Sequence, residues 1–198
     1  MKRNLLLISN STNAGEKYLD WCKDLIKDFC NESGVKNVLF IPYAGVSMGY
    51  DNYETKVKAV FETLGLNLYS IHKQADAKKA VQEAECIAVG GGNTFHLVYE
   101  LYRNGIMELI SQRAKEGVAY MGWSAGSNVA GMSLKTTNDM PIIEPESFDC
   151  MKLVPFQINP HYTDFFDPKH GGETRDDRWN EFTKVNPDMW VAAIREAT

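Results

Sequence analysis

The sequence predicts an α/β protein with a mostly parallel sheet and helices on both faces of that sheet. Short apolar runs alternate along the chain with longer stretches whose apolar residues recur at helical spacing, which is typical of strand–helix–strand crossover units. The apolar runs are continuous rather than alternating, as strands buried on both faces require. Both observations favour the same fold class.

Most of the expected helices begin shortly after an expected strand. Leu19, Cys22 and Ile26 recur at helical spacing, for example, and predict a helix over residues 16–31. Asp76 precedes another such stretch and is its expected N-cap. The expected strands cover residues 4–9, 38–42, 66–71, 86–89 and 118–123. The expected helices cover residues 16–31, 51–64, 76–84, 94–103, 106–115 and a segment from Ala125 onward.

The last third of the sequence is less regular. Residues 135–155 contain three prolines, and we expect them to form a loop or hairpin over the sheet edge. Two further apolar runs, residues 153–158 and 189–194, are expected strands. Between them, residues 173–178 form a dense run of charges that opens a helix.

Size and charge narrow the class of protein. At 198 residues the chain is expected to form one domain over residues 1–198, since domains of ~150 residues are typical. The net charge of −5 disfavours nucleic acid and anionic membranes as partners. No apolar run approaches the ~20 residues of a membrane span, and the apolar N-terminal stretch is too short for a signal peptide.

The four cysteines form no CxxC pair and no metal-binding spacing. In an acidic chain of this kind they are typical of reduced thiols in the cytoplasm. We therefore expect a cytoplasmic protein whose cysteines bind no metal. No cofactor is expected either.

Residues 122–126, with the sequence GWSAG, form a GxSxG pattern where an expected strand turns into a helix. Small neighbours allow the tight turn to expose the Ser124 hydroxyl, and a helix N-terminus can stabilise a developing oxyanion. Ser124 is therefore the candidate nucleophile. The alternative interpretation is a glycine-rich turn in which the serine is incidental.

Residues 90–93, with the sequence GGGN, follow another expected strand. Three glycines allow the backbone to approach a ligand closely with its N–H groups directed at it. The spacing does not match the dinucleotide-binding pattern, whereas an oxyanion-binding loop beside a nucleophile fits. A tight turn without a ligand is the alternative.

A nucleophilic serine needs a base. The histidines that compete for this role are His72, His96, His161 and His170. His161 follows Pro160 near the expected carboxyl end of a strand, so it is the best-placed candidate, although a histidine is more often structural.

A carboxylate should orient the base. Glu196 ends an apolar run, and Asp139 is its rival. The order Ser124, His161, Glu196 differs from the serine–acid–histidine order of the α/β-hydrolases, so the GxSxG pattern does not make this chain an α/β-hydrolase.

Several collinear segments together resemble the S51 family of serine peptidases. They are residues 7–12, 40–46, 89–95, 122–126, 136–142, 157–161 and 172–175. The resemblance implies a fold like that of class I glutamine amidotransferases, with serine in place of their nucleophilic cysteine. It also implies hydrolysis of dipeptides with N-terminal aspartate, without a metal.

The resemblance also assigns roles to individual residues. Ser124 would be the nucleophile, His161 the base and Glu196 the third member, with Asp139 favoured for that place in an earlier view of such enzymes. The backbone N–H groups of Gly91 and Ala125 would form the oxyanion hole. Substrate binding would fall to Arg175, Asn93 and Asn159.

Arg175 would pair with the substrate's aspartate carboxylate, because a guanidinium binds a carboxylate through two parallel hydrogen bonds. A solvated helix face is the alternative for this charge run. One departure concerns the C-terminus, which is shorter than expected, since family members continue through further strands past the position of Glu196. Ala197 stands where the family tends to have glycine.

Two rival functions remain open at this point. One is a related hydrolase of other aspartyl linkages, like those that cleave cyanophycin. The segment ending at Arg175 favours the dipeptidase over it. The other is a catalytically silent small-molecule-binding relative of the same fold. As a dipeptidase, the protein would have a small peptide as its partner and would act as a monomer or homodimer.

Overall fold

A five-stranded sheet lies at the centre of the computed structural model, which describes residues 3–165 and 171–198. Its strands are β1 (Leu5–Ile8), β2 (Asn37–Ile41), β3 (Asn67–Ser70), β4 (Cys86–Val89) and β5 (Ala119–Trp123). The order across the sheet is β1-β5-β4-β2-β3, and every neighbouring pair is parallel. The predicted parallel α/β sheet is confirmed, and the residues that follow β4 and β5 emerge side by side at its centre.

Helices cover both faces of this sheet. They are α1 (Lys23–Glu32), α2 (Tyr50–Thr63), α3 (Ala77–Glu83), α4 (Thr94–Arg103), α5 (Met107–Lys115) and α6 (Ala125–Asn128). A further helix, α7 (Arg175–Val185), buries none of its residues. Alternate strand residues enter opposite cores, so that Leu39 packs with α3, α4 and α5 while Phe40 packs with α1 and α2. Asp76 caps α3 as predicted, since its side chain accepts a hydrogen bond from the Lys79 N–H. Among residues 3–165 and 171–198, no helix has the length and apolar character needed to cross a membrane.

The first helix begins later than the sequence pattern predicts. Residues 18–22 form a turn, and α1 begins only at Lys23. The backbone at Leu19 has a φ of 56°, and its N–H donates to the Ser11 carbonyl at 2.6 Å. A left-handed residue interrupts a right-handed helix. Leu19 and Cys22 are nevertheless buried, which explains why their spacing imitated a helix face.

The last two strands form a separate sheet. Here β6 (Gln157–Tyr162) and β7 (Val191–Arg195) pair with each other in parallel and do not join the five-stranded sheet. The prediction of a strand over residues 153–158 is therefore displaced, because β6 begins at Gln157 and contains His161. The pairing register shifts between Asn159 and Tyr162, and His161 has a φ of 57°.

Ser9, directly after β1, connects the two sheets. Its N–H donates to the Thr198 carbonyl at 2.7 Å, and its hydroxyl donates to the Ile194 carbonyl at 3.0 Å. The same hydroxyl accepts the His161 N–H at 2.8 Å. The small sheet is thus held against the carboxyl end of β1.

The predicted loop over residues 135–155 is confirmed. A short 3₁₀-helix, Leu134–Thr136, opens it, and a single antiparallel bridge pairs Ser133 with Asp149. The Tyr102 hydroxyl of α4 donates to the Asp149 carbonyl at 3.1 Å. This loop brings residues 136–139 beside β6 and the beginning of α4.

The Glu85 carboxylate joins the beginnings of β2 and β4. It accepts the backbone N–H groups of Lys36 and Asn37, each at 3.0 Å, and the Asn37 side-chain amide at 2.8 Å. These hydrogen bonds, that of the Lys36 N–H foremost, lower the pKa of Glu85 below its ordinary value of 4.5.

We expect Glu85→Gln to lower the melting temperature by a few degrees near pH 7. A carboxyl whose pKa is lower in the folded state stabilises that state above the unfolded pKa, and the contribution is lost as pH falls through the folded pKa. The difference from wild type should therefore shrink below about pH 4.5. Thermal unfolding across this pH range measures the effect, with the exposed Glu62→Gln as the control. If the melting temperature of Glu85→Gln depended on pH in the same way as that of wild type, this role of Glu85 would be contradicted.

Candidate active site

Ser124 occupies a strained turn between β5 and α6. Its φ of 53° and ψ of −114° lie outside the regions that non-glycine residues ordinarily adopt. The turn is held by the Ser124 N–H, which donates to the Ile8 carbonyl at 3.1 Å, and by the Ser124 carbonyl, which accepts the N–H groups of Ser127 and Asn128 at 2.9 Å. Such strain persists where the surrounding structure imposes it, and it is concentrated at functional sites.

The two glycines of the GxSxG pattern are required by close backbone contacts. A Cβ atom at Gly126 would lie 2.0 Å from the Val89 carbonyl oxygen, and one at Gly122 would lie 2.4 Å from the Gly126 carbonyl. Neither contact can be relieved by moving a flexible side chain. The turn therefore rests directly on the end of β4.

The glycine loop after β4 approaches Ser124 just as closely. A Cβ at Gly91 would lie 2.8 Å from the Ser124 Cβ. The Tyr53 hydroxyl, which accepts the Trp123 indole N–H at 3.1 Å, donates to the Gly91 carbonyl at 3.1 Å and fixes the loop. Among the described residues, the N–H groups of Gly91 and Ala125 have no acceptor. Two unpaired N–H groups beside a serine can stabilise an oxyanion.

The structure brings His161 between Ser124 and Glu196. The Nε2 atom of His161 lies 2.8 Å from the Ser124 Oγ, and its Nδ1 atom lies 3.1 Å from the Glu196 Oε1. A carboxylate only accepts hydrogen bonds, so a proton on Nδ1 leaves Nε2 free to accept the serine proton. The arrangement can thus raise the nucleophilicity of the Ser124 oxygen.

Glu196 follows β7, and backbone contacts of the two residues after it hold this end of the chain. The Ala197 N–H donates to the Asn10 side-chain oxygen at 2.8 Å, and the Thr198 carbonyl accepts the Ser9 N–H at 2.7 Å. Sequence analysis did not select Ser9 or Asn10 as individual site residues. Their signal was a cluster of small polar residues directly after a buried strand.

Asp139 does not contact His161. Its Oδ2 accepts the backbone N–H and the hydroxyl of Thr94, each at 2.6 Å, so it binds the first turn of α4. Asn93 is the N-cap of that helix, where its Oδ1 accepts the His96 N–H at 3.0 Å. Its amide also donates to the Met140 carbonyl at 2.9 Å.

Arg175 and Asn159 meet at the side chain of Asn138. The Arg175 guanidinium and the Asn159 amide both donate to the Asn138 Oδ1, the latter at 2.8 Å. The Asn138 amide donates in turn to the Pro160 carbonyl at 2.8 Å, one residue before His161. Asn138 was not predicted as a site residue, although it lies beside Asp139 in a segment that carries the family resemblance.

The Arg175 side chain is half-buried, and a second cation, Arg178, lies close to it. Burial, followed by the nearby Arg178, lowers the pKa of its guanidinium. Together with Asn138, it lines a cavity of about 380 Å³ that does not include Ser124. The Oδ1 of Asn159 is buried without a partner among the described residues.

The other histidines have contacts elsewhere. His96 Nδ1 lies 2.7 Å from the Tyr43 carbonyl oxygen, and His72 Nδ1 lies 2.6 Å from the Ser70 hydroxyl. Neither lines the cavity in front of Ser124. His170 lies outside the described residues.

One group of side chains in the described part of the chain has the spacing of a metal site, namely Asp51, Glu54 and His72. The Lys73 ammonium lies 2.6 Å from a Glu54 oxygen and 3.0 Å from an Asp51 oxygen. A cation therefore already neutralises these carboxylates, and the group does not include Ser124 or His161.

A cavity of about 520 Å³ opens in front of Ser124, within the range of small-ligand sites. His161, Gly91 and Asn93 contribute to its wall. None of the described residues that line it carries a carboxylate side chain. The cavity can therefore accept a small ligand that carries negative charge.

Comparison with known proteins links this site to one family. The family model described as Peptidase family S51 matches residues 5–198. A Peptidase E from Nostoc sp. is 48% identical over all of this chain and 81% of its own length. A Peptidase E from Shewanella sp. W3-18-1 is 49% identical over all of this chain and 83% of its own.

Solved structures of two similar proteins share the fold of this chain. A candidate Peptidase E from Listeria monocytogenes EGD-e superposes with a TM-score of 0.66 at 25% identity, covering 97% of this chain and 90% of its own. A peptidase from an acI-B1 actinobacterium gives a TM-score of 0.61 at 17% identity, covering 97% and 80%. The fold is the α/β fold of class I glutamine amidotransferases, as predicted. Because the family match runs from β1 to the residues after β7, this chain belongs to peptidase family S51.

Proposed function

We propose that this serine dipeptidase hydrolyses dipeptides with N-terminal aspartate, with Ser124 as nucleophile, His161 as base and Glu196 as the group that orients the base. The observation that carries the proposal is the contact of His161 with both partners, 2.8 Å to the Ser124 Oγ and 3.1 Å to the Glu196 Oε1. A nucleophile, a base and a third group in hydrogen-bond reach are the signature of this chemistry.

In the proposed first step, the Ser124 oxygen attacks the carbonyl carbon of the peptide bond while its proton moves to His161 Nε2. Glu196 stabilises the imidazolium that forms, and the N–H groups of Gly91 and Ala125 stabilise the oxyanion. His161 then gives the proton to the leaving amine, so the C-terminal residue departs. The aspartyl group remains as an ester on Ser124.

In the second step, His161 takes a proton from a water molecule, which attacks the ester carbonyl. The oxyanion forms against the same N–H groups. His161 returns the proton to the Ser124 oxygen, and free aspartate departs. No metal or cofactor takes part in the proposed steps.

Arg175 is the proposed partner of the substrate's aspartate side chain, with Asn93 and Asn159 as further binding residues. One Arg175 N–H is directed at Asn138, while a guanidinium has five such donors. The remaining donors can form the paired hydrogen bonds that a carboxylate accepts. In a chain of net charge −5, a local cation is needed to attract an acidic substrate.

The proposal includes a setting for the enzyme. We propose that it acts in the cytoplasm as a monomer or homodimer, on small peptides, and without a nucleic-acid or membrane partner. The acidic net charge supports the absence of nucleic acid. The four cysteines are free thiols, which fits a reducing compartment.

Ser124→Ala should abolish hydrolysis of Asp-Leu, with a loss on the order of 10⁶-fold in kcat. His161→Ala should lose a comparable factor. The double variant should be no worse than either single variant, because the two residues act as a unit. Circular dichroism checks that the variants remain folded.

Chelation provides the matching control. EDTA should leave the wild-type rate unchanged, because the proposed steps use no metal. Inactivation by EDTA that zinc reverses would contradict the serine mechanism.

Glu196→Gln should lower kcat on the order of 10²-fold, because a misoriented base loses its alignment with the nucleophile. Asp139→Asn should keep kcat near the wild-type value and should lower stability by about 1 kcal/mol, because it weakens the cap on α4. Steady-state kinetics and thermal unfolding of both variants separate the two roles. The reverse pattern would assign the orienting role to Asp139.

Arg175→Ala should remove the preference for aspartate. In the wild type, kcat/KM should be far higher for Asp-Leu than for Glu-Leu or Asn-Leu, because glutamate misplaces the carboxylate by one methylene and asparagine lacks the charge. The rates for the three substrates should converge in Arg175→Ala. Arg178→Ala, on the same helix, is the control. A full preference retained in Arg175→Ala would contradict this assignment.

A further inference from the structure

Lys56 is the one lysine or arginine among the described residues that line the cavity in front of Ser124. It lies on α2, one turn after Tyr53, whose hydroxyl donates to the Gly91 carbonyl. Within residues 3–165 and 171–198, its ammonium has no carboxylate within ion-pair distance and forms no hydrogen bond. This exposed cation lines the same cavity as Ser124 and is available to a ligand there.

The aromatic ring of Tyr18 positions this ammonium. The Lys56 Nζ lies 4.3 Å from the Tyr18 ring centroid, a distance typical of cation–π contacts. The Tyr18 hydroxyl is itself fixed, since it donates to the Tyr53 hydroxyl at 3.1 Å and accepts the Trp123 indole N–H at 2.9 Å. The flexible lysine is thus biased toward one location over the cavity.

The chemistry indicates which part of a dipeptide enters this cavity. His161 must protonate the leaving amine, and His161 lines the cavity of Lys56 but not the cavity of Arg175. Ser124 lines the same cavity, but in the proposed function the aspartyl side chain pairs with Arg175, which lines the other cavity. The leaving residue is therefore the part of the dipeptide that remains for the cavity of Lys56. In a dipeptide, and in no longer peptide, that residue also bears the C-terminal carboxylate.

We propose that Lys56 binds the C-terminal carboxylate of the substrate and so restricts this enzyme to dipeptides. The inference rests on the proposed function, in which Arg175 takes the other carboxylate of the substrate, that of the aspartate side chain. Each further residue moves the terminal carboxylate by about 3.3–3.6 Å, beyond the position that Tyr18 gives the ammonium. Amidation of the C-terminus removes the charge without changing the length.

The test compares Asp-Leu with Asp-Leu-amide in wild type, Lys56→Met and Lys58→Met. Methionine retains an unbranched stem against Tyr18 and removes the charge, while Lys58 lies on the same helix outside the cavity. Wild type and Lys58→Met should prefer the free acid on the order of tenfold in kcat/KM. Lys56→Met should lose this preference, mainly through a higher KM for Asp-Leu, with little change for the amide.

The outcomes separate this inference from the proposed function. If wild type cleaves Asp-Leu and Lys56→Met keeps the full preference for the free acid, the role of Lys56 is overturned alone. Equal rates on the acid and the amide in wild type also overturn it. If wild type fails to cleave Asp-Leu, the proposed function and this inference fall together.

Discussion

The contact between the Gly126 backbone and the Val89 carbonyl is the constraint on which the site depends. This contact requires a glycine, because any side chain at position 126 would place its Cβ only 2.0 Å from that oxygen. With the turn seated on β4, Ser124 is held at a φ of 53°, and its Cβ faces the Gly91 backbone. Ser124 and the loop of unpaired N–H groups thus share one backbone framework, which can hold the donors in place before any charge develops.

His161, the proposed base, is connected to this framework through Ser9. Ser9 is fully buried and bonds to residues on both strands of the small sheet. It therefore positions the His161 backbone relative to β1, the neighbour of β5 in the large sheet. Loss of a buried hydroxyl with several partners leaves those partners unpaired, at about 1–3 kcal/mol for each unsatisfied group. The alignment of His161 with Ser124 depends on this junction of two sheets.

Local patterns allowed much of the fold to be predicted. The β4 strand and the α4 helix were both predicted with their observed bounds. A glycine run follows β4 directly, and the capping residue Asn93 directly precedes α4. The α1 helix was predicted too early, because Leu19 and Cys22 are buried by tertiary packing from a non-helical segment. The separate β6–β7 sheet was missed, because strand partnership depends on contacts such as those of Ser9, which periodicity does not report.

Local sequence patterns also predicted only part of the candidate site. The turn of Ser124 has a local signature, and the ends of two apolar runs made His161 and Glu196 candidates. The family resemblance was needed to single out Arg175. The role of Asn138 as a shared acceptor depends on a contact between the loop and α7. Lys56 belongs to a charged helix pattern that is usually solvated, and only the folded chain brings it to the cavity wall.

The most direct measurement of the central claim, that Ser124 is an activated nucleophile, is mass spectrometry of the protein after reaction with a fluorophosphonate. The account predicts one adduct per chain, mapped to the peptide that contains Ser124, and slower labelling when Asp-Leu competes. An unlabelled protein would indicate a silent binding relative. An adduct confined to Ser11 or Ser47, which line the same cavity, would contradict the assignment of the nucleophile.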